Sequence, residues 1–102
     1  DKQSPHVYLI LSGKKATGRG VLLAEQLRDQ LPNLRLLTHC GEGSMKSQFR
    51  KADKSGAQIA LVLAEDEMTK NQVSIKFLRS ESSQTSIKWS DIANFLLANL
   101  MF

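Results

Sequence analysis

Apolar residues change their spacing along this 102-residue chain, and each change marks a predicted element. Residues 6–12, His-Val-Tyr-Leu-Ile-Leu-Ser, form an apolar run between Pro5 and Gly13, as in a strand covered on both faces. Residues 13–18 carry two glycines and read as a turn. From 17 to 31 the pattern becomes helical, with Val21, Ala24, Leu27 and Leu31 on one face and Leu23 at its edge; Pro32-Asn33 ends it. Residues 34–37 read as a second strand, and 38–43 as a loop. Residues 44–55 form a helix with Met45, Phe49, Ala52 and Gly56 on one face, and Gly56 is expected as its left-handed cap. Residues 58–63 are a third apolar strand.

Strand, helix, strand, helix, strand with short links implies crossover connections and a parallel core sheet. After residue 64 the style changes. Glu65 to Met68 reads as an acidic turn, 72–78 as an alternating, half-exposed strand, 80–83 as a hairpin tip and 84–88 as an edge strand. Ser90 is expected to cap a last helix reaching about Met101 and carrying Ile92, Ala93, Phe95, Leu96 and Leu100. The expected fold is α/β: a three-layer, five-stranded mixed sheet, three strands parallel and then an antiparallel hairpin, with three helices. Residues 1–102 form one domain, and a first residue of Asp1 rather than Met suggests a piece of a longer chain.

Charge adds one detail to this outline. The net charge is only +4, which permits contact with nucleic acid without requiring it. Four of the cations nevertheless fall on one helix. Lys46, Arg50 and Lys54 recur every fourth position beside its apolar face, with Lys51 beyond them. Two readings stand: a solvated helix face, or a cationic face held towards an anionic partner. Lys76 and Glu67, on the neighbouring strand and turn, would complete a concave polar surface. Cations donate to guanine acceptors and a carboxylate accepts from amino or imino groups, on bases that single-stranded RNA can splay out.

Other constellations narrow the function. Gly13-Lys-Lys-Ala-Thr-Gly18-Arg19-Gly20 approaches a phosphate-cradling loop, but Arg19 and Gly20 stand where Lys and a magnesium-binding hydroxyl are needed. Lys14, Lys15 and Arg19 remain as a basic rim able to meet a phosphate backbone. One cysteine, Cys40, excludes an internal disulfide, and His39 with Cys40 lacks further ligands for a metal. No carboxylate pair or serine has an acid–base partner with a motif around it. No run approaches membrane-spanning length. Trp89 reads as a packing residue before the last helix.

The block Gly41-x-Gly43-Ser44-x-Lys46-x-Gln48-x-x-x-Ala52-Asp53, followed by Ser55-Gly56-Ala57, Leu63-x-Glu65-x-Glu67 and Val73-x-x-Lys76-x-Leu78, resembles the C-terminal anticodon-binding domain of bacterial histidyl-tRNA synthetases. The layout is also similar to that of the threonyl, prolyl and glycyl enzymes. The resemblance implies a domain that grips the anticodon of histidine tRNA, GUG. By matching position it implies RNA contacts from Glu42, Ser44, Lys46, Arg50, Glu67 and Lys76; Lys54 joins them from the helical wheel alone. It also implies a cytoplasmic parent, expected to be a homodimer, whose separate catalytic domain uses ATP and magnesium; no cofactor is expected in this domain. Two departures stand out: Glu42 and Ser44 replace a Gly and an Asn common in the loop, and Ala64 replaces a Gly after the third strand, which argues against a positive φ there. Rival readings are a protein-interaction or regulatory domain of the same fold in a synthetase paralogue, and a flavodoxin-like or receiver-like domain. A receiver needs an acidic residue near the first strand ends, where this chain has Ser12 and Thr38.

Overall fold

The computed structural model describes residues 4–38, 43–81 and 84–102. The loop residues His39, Cys40 and Glu42, and Ser82 and Ser83 in the expected hairpin tip, lie outside them. Five strands form one sheet in the order β2-β1-β3-β4-β5: β1 (Val7–Leu11), β2 (Leu36–Thr38), β3 (Ile59–Leu63), β4 (Gln72–Phe77) and β5 (Thr85–Lys88). β1 runs parallel to β2 and β3, while β4 pairs antiparallel with both β3 and β5.

The two apolar runs are buried at every position because the sheet is covered on both sides. Their alternate residues divide the core. Val7, Leu9, Leu11, Ile59, Leu61 and Leu63 face α1 (Lys14–Gln30) and α4 (Ile92–Asn99). Tyr8, Ile10, Ala60 and Val62 face α2 (Met45–Ser55), whose Ala52 is buried against them with Met45 and Phe49 packed alongside. The three-layer expectation therefore holds, with a fourth, short helix added.

That addition is α3 (Glu65–Lys70), where an acidic turn was expected. Three carboxylates in its first turn complement the exposed N–H groups there. Asn71 closes it in the left-handed conformation, φ 53°, which Asn tolerates better than most residues. Ala64, which precedes it, is extended at φ −128°, as its replacement of a glycine implies.

Three further expectations are corrected. Residues 14–18 are not a turn. Gly13 alone makes the reversal at φ 96°, and α1 begins at Lys14 and runs through Gly18 and Gly20. The face of α1 also differs. Leu23, Ala24, Leu27 and Leu31 are buried as expected, but the face continues through Ala16 and Gly20, and Val21 is half exposed. Gly20 lies on the buried face because the Leu11 side chain occupies the space where a Cβ would stand. Finally, Ser90 does not cap the last helix. It lies within a single 3-10 turn, Trp89–Asp91, that leads into α4. The cap expected at Gly56 is present, at φ 85°.

Candidate nucleic-acid interface

The chain leaves β1 towards β2 and leaves β3 towards β4, in opposite directions across the sheet. Between two such strand ends an open α/β sheet leaves a crevice, the usual place for a ligand. Here it is about 550 Å³ in volume. Ser12 and Gly13 lie after β1, Ala64 to Glu67 after β3, and Met45 and Phe49 of α2 form a wall. A smaller depression shares Ser12 and Gly13 and continues to Lys14, Gly43 and Gln48.

Each wall is held by specific hydrogen bonds. Ser44 caps α2, its Oγ accepting from Ser47 N at 3.1 Å. Gln48, which the apolar periodicity passed over, is among the most buried side chains of α2. Its Oε1 accepts from Leu11 N at 3.0 Å, and its Nε2 donates to Leu11 O at 2.7 Å and to Gly43 O at 3.3 Å. The amide therefore continues the hydrogen bonding of β1 at its last residue and fixes α2 to the crevice floor. At the far end of α2, Arg79 pairs with Asp53 Oδ1 at 2.6 Å and also donates to Asp53 O at 2.9 Å.

Opposite α2, Glu67 is bound through both oxygens. Oε1 accepts from Ala64 N at 3.0 Å, and Oε2 accepts from Ser74 Oγ at 2.8 Å. The first bond is half of a capping box; the reciprocal half is missing because Ala64 has no hydroxyl.

Lys46 and Arg50 are exposed on α2, one residue beyond Met45 and Phe49 of the crevice wall. Lys76 is partly exposed on β4, opposite Ala60 and on the α2 side of the sheet. The fold thus places Ser44, Lys46, Arg50, Glu67 and Lys76 around one end and one face. Lys54 is exposed too, but eight residues along α2 from Lys46, about 12 Å along the axis. Lys14 and Lys15 are exposed at the start of α1, and Lys14 reaches the smaller depression. Arg19 leaves that rim: its guanidinium stacks 4.5 Å from the centre of the Trp89 ring, in the α1–α4 layer. Trp89 is a packing residue, donating from Nε1 to Gln72 O at 2.8 Å. Glu42 falls outside the described residues.

A crevice at a strand switch point, with exposed cations beside one wall and Glu65, Asp66 and Glu67 in the other, defines an α/β domain with a polar cleft of mixed charge. The family model for the anticodon binding domain matches residues 6–99, and the chain belongs to that family. It is 44% identical to a histidine–tRNA ligase of Hydrogenovibrio crunogenus over 96 residues, covering 94% of this chain and 22% of the ligase. The chain therefore spans about a fifth of the length of that relative. Its fold superposes on part of the histidyl-tRNA synthetase of Nostoc sp. PCC 7120 with a TM-score of 0.86 at 22% identity, covering 97% of this chain and 23% of the other. It also superposes on the RNA binding domain of threonyl-tRNA synthetase from Cryptosporidium parvum Iowa II, with a TM-score of 0.83 at 10% identity over 92% of this chain and 23% of that one. No helix among the described residues is long and apolar enough to cross a membrane.

Proposed function

We propose that this chain reads the GUG anticodon of histidine tRNA as one domain of a histidine–tRNA ligase. The observation that supports it is the crevice between α2 and α3, with Lys46 and Arg50 beside one wall and Glu67 in the other, in a chain of this family. Cations meet the phosphates and guanine acceptors of a splayed loop, while Glu67 accepts from base imino and amino groups. Attachment of histidine to tRNA, with ATP and magnesium, belongs in this reading to the remainder of the ligase, a cytoplasmic homodimer.

An NMR titration with a histidine-tRNA anticodon stem-loop tests the reading, with a second loop lacking the GUG bases as control. Selective shifts at residues 43–54 and 64–76 are the expected result. Equal shifts with both loops would reduce the role to backbone binding, and no shifts at low salt would remove it.

A further inference from the structure

Ser74 sits in the middle of β4 and is 4% exposed, on the side of the sheet that carries Ala60 and Val62. At such a position an apolar side chain costs nothing, whereas a hydroxyl must find a partner. Its partner is Glu67, whose Oε2 accepts from Ser74 Oγ at 2.8 Å while Oε1 accepts from Ala64 N at 3.0 Å. Two donors, one just after β3 and one within β4, thus restrain the two oxygens separately, and the carboxylate plane is set before any ligand arrives. Glu67 lines the crevice, whereas Ser74 stands behind it.

A carboxylate offers about four lone-pair sites, so each oxygen of Glu67 keeps one for a ligand. Among the four RNA bases, guanine alone presents two adjacent donors, N1–H and the 2-amino group, on its Watson–Crick edge. Adenine offers one amino group beside an acceptor. A paired acceptor held in one plane matches guanine, and holding it beforehand removes the rotamer entropy that a free glutamate loses on binding.

We propose that Ser74 is a positioning residue for guanine recognition: its buried hydroxyl fixes the Glu67 carboxylate in the orientation that accepts both donors of a guanine entering the crevice. This rests on the anticodon reading above.

The test uses fluorescence anisotropy with the GUG stem-loop and with loops in which each guanosine in turn is inosine, which lacks the 2-amino group, or adenosine. The proteins are the wild type, Ser74→Ala, Ser74→Thr and Glu67→Gln, with thermal melts to check folding. The wild type is expected to prefer guanosine over inosine at one position by roughly tenfold. Ser74→Ala should lose most of that ratio while binding the inosine loop with unchanged affinity and salt dependence, and Ser74→Thr should keep it. If Ser74→Ala melts below the assay temperature, Ser74→Cys, a weak donor, takes its place with the same expectation. A wild-type ratio in Ser74→Ala, alongside its loss in Glu67→Gln, overturns the positioning role. Binding without any guanosine preference overturns it too, and leaves anticodon-loop binding intact. A wild type that binds no stem-loop at low salt removes the underlying reading and the proposal with it.

Discussion

Two polar side chains in the core, Gln48 and His6, have consequences that can be measured. Gln48 satisfies both the N–H and the C=O of Leu11 at the end of β1. Gln48→Leu leaves both backbone groups unpaired in a buried site, at about 1–3 kcal/mol for each such group. Urea denaturation should record a loss in that range or above, and stem-loop affinity should fall because α2 loses its anchor. His6 is 4% exposed, and its Nδ1 accepts from Arg35 N at 2.9 Å, so the native state needs the neutral ring. Burial first, and the Arg35 charge second, lower its pKa below the ordinary 6.5. The unfolded chain then binds more protons near that pH, so stability rises with pH. The contribution is complete above 6.5 and is lost progressively as pH falls from there towards the folded-state pKa. Denaturation midpoints at pH 7.5 and 5.5 should differ more for the wild type than for His6→Gln. Neither role was legible in the sequence. A glutamine in a basic helix looks solvated, and a histidine opening a covered strand shows no partner, until the partner's backbone is known.

Among the elements, α1 separates local preference from packing. Its two glycines look alike in the sequence, each weakening a helix by about 1 kcal/mol relative to alanine. A Cβ at Gly18 would meet nothing within 4 Å, whereas one at Gly20 would stand 2.5 Å from Leu11 Cδ2. Gly18→Ala should therefore stabilise the protein by up to about 1 kcal/mol. Gly20→Ala should destabilise it by about 1–3 kcal/mol, as Leu11 is displaced within a filled core. Thermal melts of the two variants should move in opposite directions. The same contact explains why the apolar spacing of α1 placed Val21 on the buried face and missed Gly20: a glycine on that face is invisible to a count of large apolar residues. α2 was legible because its face does carry Met45, Phe49 and Ala52. α3 was read as a turn because six residues are too few to show a helical period.

For the molecule as a whole, the interface is a product of topology. Two parallel strand ends whose chains leave in opposite directions open the crevice, and α2 and α3 flank it. Its cations predict that stem-loop affinity falls with salt, with a slope of about −0.7 per phosphate contacted. Arg50→Ala should reduce that slope by about one contact's worth, as filter binding across a salt series would record. Arg79→Ala breaks an ion pair whose partners are 47% and 65% exposed, and should cost no more than about 1 kcal/mol. The order of the main strands and helices, the covered strands, the cap at Gly56 and the basic arc on α2 all follow from local spacing and residue type, since periods of two and 3.6 need only neighbouring residues. The start and buried face of α1, the Gln48 anchor, the turning of Arg19 onto Trp89 and the clamp of Ser74 on Glu67 do not. Most of these pair residues separated by many positions in the chain, Ser74 with Glu67 being the nearest at seven, and each exists only because the fold brings their atoms within contact.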